Sequence, residues 1–249
     1  MTQRWGSGLR DFATLIALSD DRHCCWFSMP AIAGRLAESF FSIQGEGVTA
    51  GVPAVFVRLQ GCSVGCGWCD TKYSWDPAGG REQTLGGLLE ELAAFPCRRV
   101  VVTGGEPLES PIFTPLVNAL KERHYTIEVE TSGTLAAPRL QIDQWNVSLK
   151  LANSGVPEPK RLNPAAILSF LDRETWWKFV VVNRIDVGEV SHLMERFALP
   201  RDRILLMPEG LRREEFLERS TWVVEECRSH GFRYSPRLHI LLWGSKRGI

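Results

Sequence analysis

The feature that most limits what this chain can become is a regular alternation, in which short apolar runs take turns with segments whose apolar residues recur at helical spacing. The runs lie at 54–59, 100–103, 126–130, 145–150, 177–182, 204–207 and 238–242, and their length is that of strands rather than helices. Between them, 85–95, 113–123, 164–171, 187–197 and 214–230 carry helix-spaced apolar residues, with Thr84 and Asn163 standing where N-caps belong. Strand followed by helix, repeated, predicts a parallel sheet with helices laid against it. The expected fold is therefore α/β, a partial TIM-like (β/α) barrel with a mostly parallel sheet, whose site gathers at the carboxyl ends of the strands.

Residues 1–37 break this rhythm, since Gly6, Gly8, Asp20, Asp21 and Arg22 interrupt short apolar pieces. They read as an N-terminal extension ahead of a core domain at 38–249, and Met29 offers an alternative translation start that would leave the first segment dispensable. With 249 residues, 44% hydrophobic and 23% charged, the chain is expected to bury an ordinary core, which excludes a disordered scaffold or a fibre. Lys plus Arg equals Asp plus Glu, 29 against 29, so no basic field is available for a phosphate backbone and nucleic acid is not an expected partner. No apolar stretch approaches the roughly 20 residues of a membrane span, and the amino terminus lacks the pattern of a secretory leader; a cytoplasmic enzyme without a membrane partner is expected.

Chemistry concentrates in the cysteines. Their number is seven, and three crowd into Cys62-Ser-Val-Gly-Cys66-Gly-Trp-Cys69, directly after the predicted strand at 54–59. Gly61, Gly65 and Gly67 let such a loop fold tightly enough to aim three sulfurs at one place. Structural zinc asks for a fourth ligand, and neither the flanking residues nor Cys97 supplies the paired spacing of a zinc finger, although a distant His leaves that option open. An iron–sulfur electron carrier normally uses four thiolates, whereas three leave one iron open for chemistry. Cys24, Cys25, Cys97 and Cys227 lack this spacing and read as small buried residues.

The CxxxCxxC spacing resembles the radical S-adenosylmethionine (SAM) superfamily, and the fold it implies is the partial barrel of that type. In that superfamily the open iron of a 4Fe-4S cluster chelates SAM, and an electron from the cluster cleaves a carbon–sulfur bond to give a 5'-deoxyadenosyl radical. Trp68 holds the place of an aromatic residue beside the adenine, with core packing as its plainer role. Thr103-Gly104-Gly105-Glu106-Pro107, after the run 100–103, resembles the GGE motif that binds the methionyl amine. Ser148-Leu149-Lys150 resembles the Ser-x-Lys segment that contacts ribose and carboxylate, with Leu149 in place of the more usual proline.

Further segments narrow the resemblance. Ser42-Ile43-Gln44-Gly45-Glu46-Gly47, Arg58, Cys69-Asp70-Thr71, Glu130-Thr131-Ser132-Gly133-Thr134, Met207-Pro208-Glu209-Gly210 and the tail from Leu238 to Gly248 are similar to the 7-carboxy-7-deazaguanine synthase family. This family contracts the ring of 6-carboxy-5,6,7,8-tetrahydropterin, with loss of ammonia, on the way to queuosine and other 7-deazapurines. The resemblance implies that Arg58 grips the substrate carboxylate in a two-pronged contact. It implies that Ile43, Gln44, Gly45 and Glu46 read the pterin edge, with Thr103 and the terminal carboxylate of Ile249 also touching substrate. Trp68, Cys69, Asp70, Gly105, Ser148, Leu149, Lys150 and Met207 to Gly210 are implied to face SAM, and the Thr71 hydroxyl to hold a magnesium ion. A flavodoxin or ferredoxin as electron donor and a homodimer follow from the same likeness. Glu46, Glu130 and His239 are the candidates for acid–base work, a role that needs geometry before residue type matters. Two other classes remain open at this level: a radical SAM activase acting on a partner protein, and a metal or iron–sulfur module without catalysis.

Overall fold

The structure is a computed structural model that describes residues 32–244 and 246–249. In chain order its elements are β1 (Ala33–Ile43), β2 (Pro53–Leu59), β3 (Arg81–Thr84), α1 (Leu85–Ala93), β4 (Arg99–Gly104), α2 (Phe113–Glu122), β5 (Thr126–Thr131), β6 (Gln144–Val147), α3 (Glu158–Arg161), α4 (Pro164–Leu168), β7 (Thr175–Val181), α5 (Arg184–Phe197), β8 (Ile204–Pro208), α6 (Arg213–His230), β9 (Arg233–Tyr234) and α7 (Leu238–Trp243). The strands form one sheet in the order β3-β1-β2-β4-β5-β6-β7-β8-β9. From β2 onward every neighbouring pair is parallel, while β1 runs antiparallel to both β2 and β3. The sheet does not close, so the fold is an α/β partial barrel with a mostly parallel sheet.

Successive side chains of a strand point to opposite faces, and that alternation separates structure from chemistry here. One parity (Val55, Val57, Val100, Val102, Ile127, Val129, Trp177, Phe179) joins the main core, beside helix residues such as Leu88, Leu116 and Val190. The other parity holds Phe56, Arg58, Val101, Thr103, Glu128, Glu130, Asn146 and Lys178, a row in which buried polar groups alternate with apolar residues such as Phe56, Val101 and Val180. A face so rich in buried polar groups must satisfy them with one another or with a ligand.

The helix starts follow their caps: Thr84 accepts a hydrogen bond from the Gly87 amide at 3.2 Å, and Asn163 from that of Ala166 at 3.4 Å. Three strands were not expected. β1 begins at Ala33, inside the stretch read as an extension, because its half-buried Arg35, Glu38 and Ser39 carry no apolar alternation. The remainder of that stretch up to residue 31, with Met29, Cys24 and Cys25, lies outside the described residues. β3 and β9 are short edge strands of polar composition.

The run at 238–242 is a helix, not a strand. The sheet edge beside β8 is already taken by β9, so the run has no strand to pair with. Instead the Leu241 amide donates to the Arg237 carbonyl at 3.1 Å and the Gly244 amide to the Ile240 carbonyl at 3.0 Å. Within α7 only Ile240 is buried, and Leu242 remains 59% exposed. A five-residue apolar run fits either element, and here the available partners decide. Similarly, the expected strand at 145–150 stops at Val147, and of the residues beyond it Ser148 and Lys150 line the site while Leu149 enters the core.

Candidate active site

The carboxyl ends of β2, β4, β5, β6, β7 and β8 surround a cavity of about 320 Å³. One of its walls is the loop that follows β2. Cys62, Cys66, Trp68 and Cys69 all line it, and the thiols are free. Among the described residues no three His, Cys, Asp or Glu side chains converge closely enough to hold a single metal ion. That spread does not suit tetrahedral zinc, whose ligands all lie within about 2.3 Å of it. A multi-iron cluster, in which each thiolate takes a different iron, does not require the three sulfurs to converge on one ion. Burial pushes the Cys62 and Cys66 thiols up, so thiolates there need the positive charge of bound iron.

The loop is anchored from below and from the side. Amides of Gly61 and Cys62 donate to the carbonyls of Ser74 (2.8 Å) and Trp75 (3.1 Å), and the Gly67 amide donates to the Ser154 carbonyl at 2.8 Å. Gly105, at the end of β4, packs directly on it: a Cβ there would meet the Gly61 carbonyl oxygen at 2.1 Å and the Cys62 Cβ at 2.7 Å. Its glycine is thus required by the contact of two loops, whatever ligand approaches. Glu106 is fully buried and accepts from Thr131 Oγ1 at 2.7 Å, the Ser132 amide at 2.8 Å, the Ser132 hydroxyl and the Leu108 amide at 3.2 Å. It ties the end of β4 to that of β5. Burial pushes its carboxyl up, and those donors offset the shift only in part.

Beside the cysteines, Lys150 Nζ donates to Ser148 Oγ at 3.0 Å and sits 5.6 Å over the Trp68 ring. Trp68 Nε1 donates to Asn153 Oδ1 at 3.1 Å, and Asn153 is itself fixed by the Val180 carbonyl (2.9 Å) and Asp186 (2.8 Å). Met207 and Glu209 line the cavity, and Arg219 pairs with Glu209 at 2.5 Å. Leu149, Pro208 and Gly210 belong to the same segments but do not line the cavity; Leu149 points into the main core. Thr71 lines it, with its hydroxyl 3.5 Å from Cys69 Sγ.

A second part of the lining is built from distant parts of the chain. Both oxygens of the Glu46 carboxylate meet cations: Lys178 Nζ on one, Arg237 Nε at 3.2 Å on the other. Burial alone would raise this carboxyl, but Lys178, Arg237 and His239 together hold it well below the usual carboxylate range. Lys178 is buried too, which by itself would lower its ammonium, and the charges of Glu46 and Glu130 reverse that and keep it protonated. His239, with Nε2 3.9 Å from Glu46, is lowered by burial, against a partial upward pull from Glu46. Glu130 accepts from Thr103 Oγ1 at 2.7 Å and from Gln44 Nε2 at 3.2 Å.

Gln44 spends its amide on the protein. Nε2 also reaches buried Glu128 at 2.9 Å, while Oε1 accepts from the Glu46 amide at 3.1 Å. The side chain therefore shapes the loop more than it offers a free edge. Gly45 does not line the cavity; a Cβ there would meet His239 Nδ1 at 2.4 Å, so it makes room for the tail. Arg58 faces the cavity, its Nε engaged by Glu38 at 2.8 Å, which leaves its terminal nitrogens for a carboxylate. Glu38 also accepts from the Tyr73 hydroxyl at 2.6 Å and lies 3.8 Å from Arg247, whose guanidinium covers the Tyr73 ring at 3.5 Å. Ile43 and Ile249 line the same space.

Sequence reasoning missed Lys178 and Arg237. A lysine inside the apolar run Trp176-Trp177-Lys178-Phe179-Val180 was a signal, since charged residues are almost never buried unless paired. Nothing comparable marks Arg237 or Glu38.

Residues 56–156 match the Radical SAM superfamily. Over 220 residues the chain is 42% identical to a 7-carboxy-7-deazaguanine synthase from Pyrobaculum aerophilum, a match covering 86% of this chain and 96% of that protein. A 7-carboxy-7-deazaguanine synthase from Hyperthermus butylicus is 35% identical over 216 residues, 84% of this chain and 92% of the other. The crystal structure of QueE from Escherichia coli superposes with a TM-score of 0.65 at 28% identity, covering 82% of this chain and 93% of that one. Among the described residues no helix is long and apolar enough to cross a membrane.

Proposed function

The chain belongs to the 7-carboxy-7-deazaguanine synthase family, and from that premise we infer that its cavity takes 6-carboxy-5,6,7,8-tetrahydropterin and contracts the ring to 7-carboxy-7-deazaguanine with loss of ammonia. The observation that carries this reading is a single cavity lined by three thiols, by a carboxylate, Glu46, held ionised by Lys178 and Arg237, and by Arg58, whose Nε is engaged by Glu38.

The donor set fits the groups the family uses. Cys62, Cys66 and Cys69 would hold a 4Fe-4S cluster, and Ser148, Lys150, Trp68, Gly105, Asp70, Met207 and Glu209 would surround SAM. Bound together, cluster and SAM supply the one-electron chemistry that begins the ring contraction. The chain's own groups do the rest. Arg58 fixes the substrate carboxylate with its terminal nitrogens. Ionised Glu46 accepts from the N–H donors of the pterin edge, and the backbone of Ile43 and Gln44 keeps that edge in register. Thr103 and Glu130 stand as a hydrogen-bonded pair at the cavity wall, and His239, whose burial favours the uncharged ring, lies with Nε2 3.9 Å from Glu46.

The finer parts of the reading are a magnesium ion on the Thr71 hydroxyl, contact of the Ile249 carboxylate with substrate, a flavodoxin or ferredoxin as electron donor, a homodimer, a cytoplasmic location and a dispensable segment ahead of Met29. Magnesium prefers oxygen ligands and retains waters, so one threonine plus substrate oxygens is a reasonable set. Reconstituting the enzyme without oxygen and supplying SAM, a reductant and the carboxytetrahydropterin tests the whole. Mass-spectrometric detection of 7-carboxy-7-deazaguanine, formed without any protein partner, is expected. Unchanged pterin, or zinc at one atom per chain with no inorganic sulfide, overturns the reading. Deleting residues 1–28 should leave turnover intact.

A further inference from the structure

The segment that follows β9 is fastened to the loop after β1 at several points. The Gly47 amide donates to Ser235 Oγ at 2.8 Å, and the Leu238 amide to the Gly45 carbonyl at 2.9 Å. Between these anchors lies Arg237, 5% exposed. Each of its three guanidinium nitrogens serves a different loop: Nε meets Glu46 at 3.2 Å, one terminal nitrogen meets the Gly210 carbonyl at 2.7 Å, and the other meets the Asp70 carboxylate. Glu46 stands on the wall read as the pterin site, Asp70 directly follows Cys69, and Gly210 lies in the loop between β8 and α6. Only a planar fork of fixed donors can serve three acceptors in three directions; a lysine presents one point charge.

We propose that Arg237 is a positioning residue that couples the two walls of the cavity, so that ordering the cysteine loop around SAM also sets Glu46 to receive the pterin. The physical basis is a shared guanidinium. A shift of Asp70 or of the Gly210 carbonyl moves the fork, and the fork moves the carboxylate held on its third arm. Coupling of this kind is reciprocal and typically amounts to a factor of about 5 to 150 in affinity. The inference rests on the functional reading above.

Its test is an equilibrium measurement on the cluster-loaded enzyme: titration with 6-carboxy-5,6,7,8-tetrahydropterin without oxygen, with and without saturating SAM. The wild type should bind pterin at least about fivefold tighter with SAM present. In Arg237→Met and Arg237→Lys this ratio should fall to within about twofold of one, with pterin affinity in the absence of SAM weakened about tenfold in the methionine variant. Asp70→Ala, which cuts the arm to the cysteine loop, should likewise bring the ratio to within about twofold of one. If the wild type shows no SAM dependence, or if the Arg237 variants bind pterin more weakly while keeping the full ratio, the inference is wrong and Arg237 is only a structural tie. Should the wild type bind pterin in this linked way yet form no deazaguanine, it is the functional reading that fails.

Discussion

The two walls of the cavity are made in different ways. The cofactor wall is local: its three thiols lie in one loop, and Trp68, Ser148 and Lys150 sit on short segments at strand ends, held by backbone bonds and single side-chain hydrogen bonds. The pterin wall is global, since Glu46 is neutralised by Lys178 and Arg237, which lie 132 and 191 positions away. A local wall can lose a functional group and leave the fold intact. A wall of buried charges cannot, because removing one charge strands the others in a medium that solvates them poorly.

The largest effect expected from this contrast is functional. Cys62→Ala should abolish turnover, at least ~10³-fold, since the cluster carries the hard chemistry. It should do so with little loss of folding stability in urea, because Cys62 stands at a cavity edge and its thiol meets only backbone amides of its own loop, those of Val64 and Gly65. Iron analysis and an unfolding curve on the same preparation check both halves. Glu46→Gln should behave in the opposite sense. It leaves Lys178 and Arg237 buried with reduced counter-charge and should cost about 3 kcal/mol of stability, besides weakening pterin binding. Equal stability losses in the two variants would erase the distinction.

The same contrast explains what could be read from the sequence. The cysteine loop was legible because its chemistry and its spacing occupy one stretch, and the β-α alternation was legible because burial imposes a period that survives in the residue order. Thr84 and Asn163 marked helix starts for the same local reason. Lys178 and Arg237 were not legible, since what defines them is a partner far along the chain. Arg58 could be suspected, but its direction depended on which strand parity faces the helices, and the sheet decided that. The run at 238–242 misled because its neighbour at the sheet edge, β9, has only two residues and no apolar signal.

Acid sharpens the comparison, because each wall holds a buried carboxylate of opposite tendency. Glu46 is held below the ordinary 4.5 despite its burial, so its contribution to stability is fully present above that value and is lost as the pH falls below it. Glu106 is raised above 4.5 by burial, so its contribution is present in acid and is lost as the pH rises through the folded value. Each protein is compared with its own stability at pH 7. On acidification to about pH 4, Glu46→Gln should then lose less than the wild type and Glu106→Gln more. Urea midpoints at the two pH values read this directly, and shifts of the same sign in both variants contradict the assigned environments.

The smallest effect tests whether the walls are separable where Arg237 does not reach. Trp68→Phe keeps an aromatic face under Lys150 but removes the 3.1 Å bond from Nε1 to Asn153. Asn153 retains its bonds to the Val180 carbonyl and to Asp186, so the damage should stop there. One neutral hydrogen bond contributes about 1 kcal/mol, which sets the expected loss of stability and an upper limit of about fivefold on the rise in the SAM concentration at half-saturation. The pterin KM should not change, because no arm of the Arg237 fork touches Trp68 or Asn153. A pterin KM that rises in step with that for SAM would mean that the cysteine loop moves as one body, and that the coupling between the walls does not need the fork.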